Sequence, residues 1–167
     1  ASGERVFRAS DVLLAMGSRQ AALPFLEPDG RTIITHLEAL DLEEIPETMI
    51  VVGAGAIGLE IGTIFARMGT DVTVLEIMPT ILPGMDKPMT ARLERLLKKQ
   101  GLKIFTEMRI EESAVEGEQV RLKGTCLKTR ADFEVRAGRV LLAAGRKPNS
   151  DVLLPDYADL LDAKGFV

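Results

Sequence analysis

The sequence predicts an α/β fold: a parallel sheet with helices on both faces and an inserted three-stranded antiparallel β-meander. Three observations carry that expectation. Apolar runs at 49–52 (MIVV), 102–105 (LKIF) and 139–143 (RVLLA) read as strands buried on both faces. The stretches after the first strand and before the second have helical periodicity and stop at Gly69 and Gly101. Between 109 and 136 the period switches to apolar–polar alternation.

Residues 9–15 (ASDVLLA) read as a short buried strand ending in Met16-Gly17-Ser18, and a loop with Pro24, Pro28 and Gly30 follows. Residues 37–45 form one short acidic helix, which Pro46 ends. After the strand at 49–52, a helix carries Ile57, Ile61, Ile64, Phe65 and Met68 on its apolar face. Residues 70–75 supply the next strand, ending at Glu76. Beyond a loop with Pro79, Pro83 and Gly84, Asp86 caps a helix to Gln100. Its buried stripe is Met89, Leu93, Leu96 and Leu97, and Lys98 and Lys99 complement the C-terminal dipole. The meander occupies 109–115, 118–124 and 130–136, with Gly117 and Gly124 as turn signals. The run 139–143 returns to the buried type, Gly145 to Asn149 ends it, and the tail through Val167 reads as loop.

Strand, glycine turn, helix, second strand and acid follow one another over 49–76, the order of a Rossmann-like dinucleotide site. Gly53 permits the tight turn, Gly55 lets a pyrophosphate approach the backbone, and Gly58 lets the helix pack closely on the strand. Ala54, Ala56 and Ile57 complete the loop, and the phosphates belong at the helix N-terminus, where free N–H groups and the dipole favour negative charge. A carboxylate at Glu76 accepts hydrogen bonds from a ribose 2′-hydroxyl and repels a 2′-phosphate, which selects NAD over NADP. The competing reading of Glu76 is a solvated strand end.

Composition excludes several classes. At 46% apolar and 28% charged residues, the 167-residue chain lies in the globular range. No apolar run spans a membrane, and a net charge of −4 offers no basic face for nucleic acid. Cys126 and His36 stand alone in kind, so no intrachain disulfide and no Cys/His metal site can be assembled. The sequence reads without a signal-peptide pattern, its acidic composition leads us to expect a cytoplasmic origin, and the start at Ala1 suggests a segment of a longer protein.

One internal echo is visible: DVLLAMGSRQ at 11–20 matches RVLLAAGRKP at 139–148 in pattern, an apolar strand followed by small residues, a glycine and a cation. With the 35–76 block, ILPGMD, LKKQGLKI and GRKPN, these motifs resemble the flavin-dependent pyridine nucleotide–disulfide oxidoreductases, the dihydrolipoamide dehydrogenases most of all. The resemblance implies that 53–58 hold the NAD pyrophosphate and Glu76 the adenosine ribose. It sets Ile110 beside the adenine, Gly145 near the nicotinamide, and Glu60 toward the flavin–nicotinamide junction. Gly17 and Ser18 match the edge of the FAD domain, although Met16 replaces a usual threonine. Ala56 stands where relatives carry bulkier residues, so no aromatic ring from this position covers the flavin.

The same resemblance implies a strip of the FAD domain and linker at 1–45, an NAD-binding domain at 46–150, and a return toward the FAD domain at 151–167. Such enzymes reoxidise dihydrolipoyl groups through a Cys-x4-Cys pair and FAD, and NAD receives the hydride. The cysteine pair, the C-terminal His–Glu pair and the FAD fingerprint are not in this sequence, so the chain by itself is expected to be inactive. Implied partners are the rest of the flavoenzyme, with its FAD and dimerisation domains, and a 2-oxo acid dehydrogenase complex. Alternatives are the NAD domain of a mercuric reductase or NADH oxidase type of enzyme, and a non-enzymatic NAD-binding module.

Overall fold

The run MIVV at 49–52 leaves no polar side chain for solvent, so it requires cover on both faces. The computed structural model describes residues 5, 7–152, 159–163, 165 and 166. The chain divides into two units, Ala1–Arg19 with Arg146–Val167, and Gln20–Gly145. In chain order the strands and helices are β1 (Ser18–Gln20), β2 (Ile33–Ile34), α1 (His36–Leu40), β3 (Thr48–Val52), α2 (Ala56–Arg67), β4 (Asp71–Leu75) and α3 (Lys87–Lys99). They continue as β5 (Lys103–Phe105), β6 (Met108–Glu116), β7 (Gln119–Cys126), β8 (Asp132–Ala137), β9 (Arg139–Leu142) and β10 (Arg146–Pro148). β1 pairs with β10.

In the second unit, five parallel strands lie in the order β2-β9-β3-β4-β5. β3 therefore lies between β9 and β4, and Val52 pairs with both Leu142 and Leu75. That register brings the C-terminal ends of three strands together, where open α/β sheets bind ligands. One sheet face (Met49, Val51, Val72, Val74, Leu141) packs on Ala39 of α1, Leu59, Ile61 and Phe65 of α2, and Leu97 of α3. The other (Ile50, Val52, Leu75, Val140, Leu142) packs on Ile110, Val120 and Leu122 of the antiparallel sheet β6-β7-β8.

The α/β class, the parallel sheet and the inserted meander are as expected; the layering differs in one respect. Among the described residues the helices contribute to one face and the meander covers the other, because its own apolar side needs a partner.

Several local expectations need correction. Residues 11–17 form no strand, and Val12 and Leu13 are 78% and 90% exposed; strand begins only at Ser18, where β10 is present to pair. The acidic helix stops at Leu40. Thr35 and Glu38 form a reciprocal capping box at its start, but Asp41, Glu43 and Glu44 would oppose the dipole at its end. In α2 the buried stripe is Gly58, Leu59, Ile61, Gly62 and Phe65, while Ile64 and Met68 are exposed. The helix turns its two glycines toward Val51, and that rotates the contact stripe. In α3, Thr90 and Leu97 are buried and Met89 and Leu96 are exposed; Thr90 tolerates burial because its hydroxyl donates to the Lys87 carbonyl at 3.0 Å.

Gly124 is not a turn. It pairs with Ile110 at a bulge in β6, where a Cβ would strike the Arg109 carbonyl. The β7–β8 connection instead carries Arg130 at φ 61°. Strand β2 was not expected, being only two residues long. Of the tail expected as loop, Ser150–Val152 form a 3-10 turn, and 153–158, 164 and 167 lie outside the described residues.

The approach to β2 is held by Asp29, whose carboxylate accepts from the N–H groups of Arg31, Thr32 and Ile33 at 2.7–2.9 Å and from the Thr32 hydroxyl. Burial pushes this carboxyl up, but the donors outweigh it and bring its pKa to about 2 from the ordinary 3.8. A depressed carboxylate pKa stabilises the fold above pH 3.8, and that contribution is lost as pH falls toward 2. Asp29 is solvent-exposed, so screening reduces the effect to about 1 kcal/mol. Urea melts of Asp29→Asn should show that deficit at pH 7 and its disappearance near pH 2.

Candidate functional site

The glycine turn is built by contacts that leave no room for side chains. Gly53 adopts φ +105°, donates its N–H to the Leu75 carbonyl at 2.8 Å, and a Cβ there would lie 2.6 Å from the Ala143 carbonyl oxygen. Gly58 is tighter still: a Cβ would come within 2.2 Å of the Gly53 carbonyl oxygen and 3.0 Å of Val51. Gly55 is the opposite case. It is the N-cap of α2, no side chain caps that end, and no atom lies within 4 Å of where its Cβ would be. Two glycines thus close the fold, and the third leaves open space over a helix N-terminus.

That space belongs to a cavity of about 860 Å³ at the C-terminal ends of β3, β4 and β9. Its walls come from Val52, Gly53 and Gly55, from Leu75, Glu76 and Ile77, from Met108 to Glu111, from Ala143 to Gly145, and from Leu23, Phe25 and Pro83. The lining is mostly apolar, with two carboxylates, Glu76 and Glu111, and one cation, Arg109.

Glu76 is only 6% exposed. One carboxylate oxygen accepts from the Ala54 N–H at 2.7 Å and the other from the Met78 N–H at 2.8 Å. The carboxylate therefore ties the glycine turn to the segment after β4. It is not a solvated strand end. Each oxygen keeps a further lone pair for a donor in the cavity.

Of the residues singled out in the sequence, Gly53, Gly55, Glu76, Ile110 and Gly145 line this cavity together. Ala54 and Gly58 are buried behind the turn, and Ala54 receives a back-bond, its carbonyl accepting from the Leu82 N–H at 2.9 Å. Ala56, Ile57 and Glu60 do not line it; Ala56 and Glu60 face solvent. Gly17 and Ser18 belong to the other unit, where Gly17 has φ +68° and the Ser18 hydroxyl accepts from Arg146 Nε at 2.7 Å.

Sequence reasoning missed Leu23, Phe25, Ile77, Pro83, Met108, Arg109 and Glu111. For Ile77, Met108, Arg109 and Glu111 a signal was available: they follow closely on the C-terminal ends of β4 and β5. No helix among the described residues is long and apolar enough to cross a membrane, and they contain no metal-competent cluster of His, Cys, Asp or Glu.

A profile of the pyridine nucleotide-disulphide oxidoreductases matches residues 2–166. The chain belongs to that family. Among pyridine nucleotide-disulphide oxidoreductases it is similar to the dihydrolipoyl dehydrogenase of Rhizobium etli, 46% identical over 65% of this chain and 22% of the relative. It is similar also to the dihydrolipoamide dehydrogenase of Chaetomium thermophilum, 35% identical over 99% of this chain and 33% of the relative. Among solved family structures, the HOCl-induced flavoprotein disulfide reductase RclA from Escherichia coli matches with a TM-score of 0.72 at 25% identity, over 91% of this chain and 34% of that one. An NAD-dependent persulfide reductase from A. fulgidus matches at 0.66 and 29% identity, over 81% of this chain and 26% of that one. The chain spans between about a fifth and a third of the length of these relatives.

Proposed function

We propose that the chain is the NAD-binding part of a flavin-dependent disulfide oxidoreductase that reoxidises dihydrolipoyl groups. The observation that carries this reading is the uncapped N-terminus of α2 at Gly55, opening into a cavity edged by the buried carboxylate of Glu76. An anion of pyrophosphate type fits there, because backbone N–H groups and the helix dipole face it and no side chain obstructs it. Gly55 and the start of α2 hold the phosphates, Glu76 the adenosine ribose, Ile110 the adenine side, and Gly145 the nicotinamide side. Glu60, Gly17 and Ser18 face the flavin part of the parent enzyme.

NAD supplies the hydride acceptor and FAD, held mostly by other segments, its donor. This chain's contribution is orientation, which makes transfer effectively unimolecular. The boundaries proposed for the NAD domain move from 46–150 to 20–145, because β2 and α1 share its sheet and core, which leaves 1–19 as the strip of the FAD domain and 146–167 as the return toward it. The parent's partners are its own FAD and dimerisation domains and a 2-oxo acid dehydrogenase complex, in the cytoplasm. Identities of 31–46% to dihydrolipoyl dehydrogenases support the dihydrolipoyl substrate.

The chain has no tryptophan and one tyrosine, so NADH fluorescence can be followed with little background. Titration should show saturable NADH binding, and the 167-residue chain alone should form no NADH from dihydrolipoamide. Absence of binding would refute the nucleotide reading, and lipoamide-dependent turnover would refute the division of labour.

A further inference from the structure

We propose that Phe25, which lies outside the glycine fingerprint, is a contact residue for the nicotinamide end of the dinucleotide; this rests on the NAD reading above. Leu23 to Leu26 form a tight turn in which the Leu26 N–H donates to the Leu23 carbonyl at 2.9 Å. Pro24 occupies the second position, where its fixed φ pre-sets such a turn. The turn is held from two sides. Leu26 is fully buried in the layer between sheet and meander, and the Phe25 carbonyl accepts from the Ser113 hydroxyl of β6. The ring at position 25 therefore projects from a fixed base into the cavity wall.

Its place along the cavity follows from topology. β9 and β4 flank β3 on opposite sides, so Gly145, just beyond β9, and Glu76, just beyond β4, mark opposite ends. The segment leading to Phe25 passes beside Gly145: the Ala21 N–H donates to the Gly145 carbonyl at 3.3 Å. β6 starts next to Glu76, where the Met108 N–H donates to the Glu76 carbonyl at 2.8 Å. By Ser113 it has run five residues away, about 16 Å at strand rise. Phe25, tied to Ser113, thus stands at the end opposite the ribose carboxylate. An aromatic side chain there offers apolar area with few rotatable bonds to a planar ring.

NADH and ADP-ribose, which shares the adenosine and pyrophosphate but lacks nicotinamide, separate the two ends. Phe25→Ala should weaken NADH about tenfold and leave ADP-ribose within about twofold of wild type, the scale of one aromatic contact. Phe25→Leu, which keeps an apolar wall, should give a smaller NADH loss with the same selectivity. It carries the test should the alanine variant fail to fold in a thermal melt. Ser113→Ala should shift selectivity in the same direction by releasing the turn. Equal weakening of both ligands, or of neither, would overturn the role of Phe25 while leaving the NAD reading intact. A wild-type chain that binds neither ligand would overturn the NAD reading itself, and this role with it.

Discussion

Alanine at Gly58 is expected to cost about 3 kcal/mol or more of folding stability, the upper range for forcing atoms into a packed interior. The added methyl would sit 2.2 Å from the Gly53 carbonyl oxygen, and that oxygen is backbone, so no rotamer change relieves the overlap. Either α2 moves off β3 or the glycine turn opens. In a domain of this size the loss corresponds to roughly 6–12 °C in melting temperature. Alanine at Gly55 is the informative contrast. Its φ of −76° suits any residue and nothing lies within 4 Å of the new Cβ, so its melt should stay close to wild type. NADH affinity should nevertheless fall at least about tenfold, because the methyl occupies the space a pyrophosphate needs. A Gly58→Ala variant that melts within about 2 °C of wild type would refute the close-packing account.

What could be read from the sequence is what short-range pattern encodes. The switch from buried runs to alternation announced the meander, and the strand–turn–helix–strand order announced the cavity, because in each case neighbours in sequence are neighbours in space. Failures occurred where a distant residue decides. Gly124 read as a turn because glycine is ambiguous locally; the Arg109 carbonyl on the facing strand makes it a bulge position. Ile64 and Met68 share the helical spacing of a buried stripe, but Gly58 and Gly62 allow closer approach to Val51 and take that face. The run at 11–15 is apolar enough for a core strand, yet a strand exists only with a hydrogen-bonding neighbour, and these residues pair with none of the described ones. Phe25 was invisible as a cavity residue because Ser113, far along the chain, anchors its turn.

Glu76 carries two functions in one carboxylate, and substitution should separate them. Glu76→Ala removes the acceptor for the N–H groups of both Ala54 and Met78, leaving two donors unpaired at a site only 6% exposed. A loss of about 2 kcal/mol of stability is expected, since water entering the cavity compensates part of each charge-assisted bond. The same change should relax the preference for NADH over NADPH by about 1–3 kcal/mol, because it removes both the ribose acceptor and the charge that repels a 2′-phosphate. Glu76→Gln discriminates further. Its one carbonyl oxygen satisfies one N–H, but its amide group meets the other donor to donor, so about half the stability loss should remain. Its neutral charge should weaken NADPH exclusion nearly as much as alanine does. Thermal melts and paired NADH and NADPH titrations of both variants report the two effects independently. Were Glu76 only a strut for the glycine turn, stability would fall with the NADH/NADPH ratio unchanged. Were it only a ribose ligand, the ratio would change and the melts would not. The paired backbone donors at 2.7 and 2.8 Å argue that both move together in alanine and come apart in glutamine.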